Sequence, residues 1–104
     1  MEHKGFTDLE AWKKSRIFRN KCFELCNSFP ESEKYNLRNQ LLRASRFITA
    51  NITERQGRFH FKENIQFCRI ARGSFTECLD HLICAFDCGY LSKEKLSELK
   101  IEID

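Results

Sequence analysis

A chain of 104 residues with 18 Lys/Arg against 15 Asp/Glu, one proline and four glycines has room for one core, but not for a core plus an elaborate enclosed active site. Chain breakers this few and this widely spaced favour long helices and argue against many short strands. No window of about 18 apolar residues exists, and MEHKGFTDLE lacks a basic run followed by an apolar one, so neither a membrane span nor a secretory signal is expected and the expected address is the cytoplasm. In a reducing compartment the cysteines at 22, 26, 68, 78, 84 and 88 are expected to be free thiols that pack as small apolar residues. The net charge of +3 conceals an asymmetry: residues 1–58 hold 12 basic against 7 acidic residues, and residues 59–104 hold 6 against 8. A basic first half points to an anionic partner.

The first helix is expected to open near Thr7 or Asp8, where Thr7 can cap with Glu10 three residues on and Phe6 can act as a hydrophobic staple. Ala11, Ser15, Phe18, Cys22, Leu25 and Phe29 then recur at spacings of four and three, the seam of a bundle helix. Pro30 cannot continue it, and the polar run that follows leads to a second helix opening between Ser32 and Tyr35. That helix carries Leu37, Leu41, Ala44, Ile48 and Ile52 on one face and is expected to stop at Gly57. A third helix over 61–88 presents Ile65, Cys68, Ala71, Phe75, Cys78, Leu82 and Ala85 and ends at Gly89; its roughly 28 residues span about 42 Å. Ser92 can cap a fourth helix holding Leu96, Leu99 and Ile103, which at about 18 Å is too short to cover its neighbours. The expected architecture is an all-α, up-down four-helix bundle over residues 1–104. An apolar groove is expected where the rest of the fourth helix would lie, and such a groove marks an interface.

Chemistry is harder to find. Cys22/Cys26 and Cys84/Cys88 are i,i+4 pairs near the ends of two helices that run parallel, so a four-thiolate metal site is conceivable. All four also sit among apolar positions, where core packing explains them, and that reading is preferred. His3, His60 and His81 form no metal-binding pair, and ARGSF lacks the strand-turn-helix setting of a catalytic serine. Without a phosphate loop or a nucleophile motif, no enzyme and no cofactor is expected. The basic residues say more: Lys13, Lys14 and Arg16 on the first helix, Arg38, Arg43, Arg46, Arg55 and Arg58 along the second and past its end, and Arg69 and Arg72 on the third. Guanidinium forks suit phosphate because they donate two parallel hydrogen bonds.

FTDLEAWKKS at 6–15, LRNQLLRASRFITANITERQGR at 37–58, FCRIARGSFTE at 67–77 and GYL at 89–91 together resemble the four-helix-bundle proteins encoded in intervening sequences of bacterial large-subunit ribosomal RNA genes. The most specific matches are Gln40, Arg43, Ala44, Ile48, Asn51, Ile52, Glu54, Gly57 and Arg58 in one pattern, and Ile70, Ala71, Gly73, Ser74 and Glu77 in another. The resemblance implies an up-down bundle assembling as a ring-like homopentamer, with no catalytic residue. One branch, the accessory variability proteins of diversity-generating retroelements, implies a basic ring that binds nucleic acid and a reverse transcriptase. The chain departs from the pattern at Arg55, where glycine is usual, at Thr49, where proline is frequent, and in its short fourth helix; Cys84 and Cys88 fall where aliphatic residues are usual.

Two expectations follow for the polar half of the second helix. Asn51 and Glu54 are expected to form a hydrogen-bonded structural layer with Ser74 and Glu77, and Arg43 to pair with a bundle carboxylate. Lys13, Lys14, Arg38, Arg46, Arg55, Arg58, Arg69 and Arg72 are expected to touch nucleic-acid phosphates, of RNA before DNA. The alternative function is a protein-interaction adaptor, for example an accessory subunit of a reverse transcriptase.

Overall fold

The computed structural model describes residue 7, residues 10–55 and residues 61–103, with side chains described for 7, 10–54 and 72–103. Four α-helices, α1 (Glu10–Cys26), α2 (Leu37–Arg55), α3 (Phe61–Asp87) and α4 (Lys93–Ile103), form an all-helical bundle in which consecutive helices are neighbours. No strand occurs among the described residues.

The heptad-like stripes dictate the packing. All five residues named for α2, namely Leu37, Leu41, Ala44, Ile48 and Ile52, are buried. From α1 they meet Ser15, Phe18, Cys22 and Cys26, and from α3 they meet Cys78, Leu82 and Ala85. Leu99 of α4 is buried, with Leu96 and Ile103 packed against the same core. The Phe18 and Phe75 rings meet at 5.3 Å between centroids, a tilted aromatic contact joining α1 to α3. Ala11, expected on the α1 seam, is instead exposed at the start of that helix.

Helix ends follow local hydrogen bonding. α1 stops at Cys26, ahead of Pro30, because Ser28 N and Phe29 N turn to carbonyls three residues back and Ser28 Oγ donates to Leu25 O at 2.7 Å. Phe29 remains buried although it is not helical. A 3-10 turn at Glu31–Glu33 occupies the place expected for the opening of α2, which begins later, at Leu37. Asn36 O accepts the first backbone bond, from Gln40 N, and Glu33 Oε1 lies 3.4 Å from Leu37 N. Thr7, the expected cap of the first helix, is exposed three residues ahead of the start of α1 at Glu10, and the expected stop at Gly57 lies outside the described residues.

The α3–α4 joint is as the residues require. Gly89 has φ +83°, with Gly89 N bonded to Phe86 O and Tyr90 N to Ala85 O, the paired bonds of a Schellman C-cap. Ser92 Oγ accepts Lys95 N at 3.1 Å and caps α4. The Tyr90 hydroxyl donates to Glu33 Oε2 at 2.8 Å, tying this joint to the α1–α2 connection, and that bond helps push the phenol pKa up to about 12.

The 11 residues of α4 cover only part of the 27-residue α3. Lys21 of α1 reaches Glu102 in the last turn of α4 at 2.9 Å and Glu98 at 3.6 Å. Ile17, one turn earlier on the same face of α1, lies beyond the end of α4 and is 53 % exposed.

Candidate nucleic-acid interface

The cysteines locate what the site is not. Cys22, Cys26 and Cys78 are buried free thiols; burial pushes Cys26 up to about 11 and Cys78 up to about 12, so they stay protonated and inert at neutral pH. Cys84 and Cys88 are exposed, which corrects their expected place in the core. The buried stripe of α3 runs through Cys78, Leu82 and Ala85, and residues 84 and 88 project off it. The two i,i+4 pairs thus occupy different environments, and no group of three or more metal-ligating side chains gathers among the described residues.

A basic surface is built where α1 and α2 pack. The guanidinium carbons of Arg19 on α1 and Arg46 on α2 each lie 5.9 Å from the centroid of the half-buried Phe23 ring, close enough for cation–π attraction of about 0.5–1 kcal/mol apiece at such a site. Arg19 donates to Thr49 Oγ1 and to Asn20 Oδ1, each at 3.3 Å. Thr49 in turn donates to Arg46 O at 3.1 Å, so a hydroxyl at the position where proline was the expectation now helps orient Arg19. Lys13, Lys14 and Arg16 are exposed nearer the start of α1, with Arg16 over the Trp12 ring at 5.6 Å. Arg38 is half-buried and Arg72 exposed. The side chains of Arg55 and Arg69, and all of Arg58, lie outside the described residues.

Pairing separates the described arginines from several other basic residues. Among the described residues the ion pairs are made by Lys13, Lys21, Lys95 and His81. Among the described residues no carboxylate lies within 4.0 Å of Arg16, Arg19, Arg38, Arg43, Arg46 or Arg72. The carboxylate expected beside Arg43 is therefore not engaged by it. Sequence reasoning passed over Arg19 and Phe23, although their i,i+4 spacing on one helix was a visible signal.

Around the corner, α2 and α3 leave an open groove of about 660 Å³. Its α2 wall is Gln40, Arg43, Ala44 and Phe47, and its α3 wall is Gly73, Ser74, Glu77 and His81. Glu77 Oε2 lies 3.5 Å from His81 Nε2. Antiparallel pairing sets Ser74 and Glu77 beside residues 40–47, Asn51 is buried further along α2, and Glu54 is exposed.

Six of the eight residues of the two walls, Gln40, Arg43 and Ala44 on α2 and Gly73, Ser74 and Glu77 on α3, belong to the two sequence patterns that carried the family resemblance. Among curated proteins none matches this chain. The family model described as 23S rRNA-intervening sequence protein matches residues 7–104, and with four helices in the expected order behind that match the chain belongs to the 23S rRNA-intervening sequence protein family.

Proposed function

We propose that this protein is a non-enzymatic, self-associating bundle of the cytoplasm that binds nucleic acid, RNA in preference to DNA, through phosphate contacts from the α1–α2 arginine face. The observation that carries the reading is the set of arginines without carboxylate partners, two of them sharing the Phe23 ring. A charge already neutralised within the fold has little left for a ligand, whereas an unpaired guanidinium retains its full attraction for phosphate. Lys14 and Arg38 add to the positive charge of α1 and α2 and Arg72 to that of α3, Lys13 is shared with Glu10, and Arg55, Arg58 and Arg69 are assigned to the contact from the sequence.

Self-association is supported by the exposed apolar side chains Ile17, Ile83, Phe86 and Ile101, which a partner copy would cover. The family resemblance makes the assembly a homopentameric ring. Light scattering at micromolar concentration is expected to give about five times the 12.4 kDa chain mass, and a stable monomer would sink the assembly claim. These side chains equally suit a protein partner, which is the adaptor reading. Fluorescence anisotropy with labelled RNA between about 50 and 200 mM salt separates the two. Phosphate contacts make log affinity fall linearly with log salt at about −0.7 to −0.9 per contact, and absence of RNA binding at the low-salt end leaves the adaptor in front.

A further inference from the structure

A contact confined to phosphates leaves the α2–α3 groove without a use, and the groove is chemically unsuited to a phosphate. Glu77 stands in it with 62 % of its side chain exposed, and a carboxylate there repels an anion. Yet its α2 wall ends in Phe47, an aromatic ring 53 % exposed, with Arg43 and Arg46 within one turn on the same helix and neither paired with a carboxylate. We propose that this groove receives one unpaired base of a single-stranded nucleic acid, stacked on Phe47, while the adjoining phosphates run over Arg43 and Arg46. The inference rests on the nucleic-acid reading above and adds to it the strandedness of the ligand and a base preference.

Three features carry it. First, a base offers what the groove accepts: a neutral planar ring for the exposed Phe47 face, with the negative charge held outside on the backbone. Aromatic platforms interleaved with cations are how single strands are bound, because every base has a π-face once it is unstacked. A base inside a duplex cannot reach such a groove. Second, the groove holds edge readers as well as a platform. Glu77 is acceptor-only when ionised and is held beside His81, while Gln40 brings both a donor and an acceptor from α2. An acceptor carboxylate favours a base bearing an exocyclic amine, as on cytosine, over uracil, which has none. Third, the floor is open. A side chain at Gly73 would meet nothing within 4 Å, so the α3 wall leaves room beside it, and the groove volume of about 660 Å³ falls within the roughly 300–1,000 Å³ of small-molecule clefts.

The test compares wild type, Phe47→Ala, Glu77→Gln and Gly73→Leu by anisotropy with labelled oligocytidine, oligouridine and a mixed-sequence RNA duplex of the same length. Wild type is expected to bind oligocytidine more tightly than oligouridine and either more tightly than the duplex. Phe47→Ala is expected to lose about 5- to 150-fold in single-strand affinity, the range for one stacked base, with the salt slope unchanged. Gly73→Leu fills the groove while leaving the helix intact and is expected to reproduce that loss; Glu77→Gln is expected to shrink the preference for cytosine. Single-strand binding by Phe47→Ala within about twofold of wild type, or duplex binding as tight as single-strand binding, overturns the inference but leaves backbone binding standing. A fall in solution mass of Phe47→Ala would show that the groove seats a second copy of the chain, and also overturns it. Failure of wild type to bind any of the three RNAs removes the parent reading together with this one.

Discussion

Arg19 and Lys21 stand two residues apart on α1 and face different neighbours. Lys21 turns to α4, where its hydrogen bond to Glu102 and the charges of Glu102 and Glu98 raise its pKa above the usual lysine value. Arg19 meets the Thr49 hydroxyl of α2 and, on its own helix, the Phe23 ring and the Asn20 amide oxygen, none of which can neutralise it. The excess of 12 basic over 7 acidic residues in positions 1–58 treats the two as equals. The fold does not, because α4 returns carboxylates from the other end of the chain to one side of α1 only. Positive charge available to a ligand is what remains after such pairing, and among the described residues Arg19 and Arg46 keep theirs where α1 and α2 meet.

The comparison breaks most visibly under charge removal. Neutralising Arg19, Arg43 and Arg46 to alanine together is expected to lower RNA affinity by orders of magnitude at about 100 mM salt and to flatten the log–log salt slope by roughly 2 to 3, while Lys21→Ala with Lys95→Ala leaves both nearly unchanged. Equal losses from the two sets would mean that net charge, not pairing, governs binding. Next in size is Leu82→Ala in the fully buried core beneath both faces. It is expected to cost about 2–5 kcal/mol in denaturant unfolding yet to preserve the salt slope of the molecules that remain folded, which separates scaffold from surface.

Gly89→Ala strains the left-handed position at φ +83° and is expected to cost about 1 kcal/mol. The damage should centre on the α3–α4 joint and spare the arginine face, a difference that amide exchange resolves. The smallest effect belongs to the Lys21 pairs. The folded pKa lies above 10.5, so their stabilising contribution is complete below that value and is lost as pH rises through the higher folded one. A Lys21→Met protein should accordingly melt slightly below wild type at neutral pH, with the gap closing at strongly alkaline pH and in high salt.

Much of this fold is legible in the sequence, because burial on a helix repeats with the turn. The stripe from Leu37 to Ile52 needed no partner to be recognised, and the Gly89 and Ser92 caps are local chemistry. What escaped depends on rotation and register. Cys84 and Cys88 lie among apolar neighbours in sequence, and only the set of α3 with Cys78, Leu82 and Ala85 inward turns them to solvent. Arg19 finds its acceptor Thr49 thirty positions away. The groove was half legible: Gln40, Arg43 and Ala44 stood out in one pattern and Gly73, Ser74 and Glu77 in another, but their becoming opposite walls required the antiparallel register of α2 against α3. Phe47 carried no sequence signal beyond being one more apolar residue beside a core stripe.

The order of helices also bears on how the chain acquires its structure. Each helix packs chiefly on the one made before it, so a growing chain can dock α2 on α1 and α3 on α2 as each leaves the ribosome, without waiting for distant partners. The Lys21–Glu102 contact spans 81 positions and can form only once α4 has been made. α4 is therefore the last of the four helices to dock. Until it docks, the side of α1 that it later covers stays open to solvent, and the Lys21 ammonium on that side waits without the carboxylates of Glu98 and Glu102.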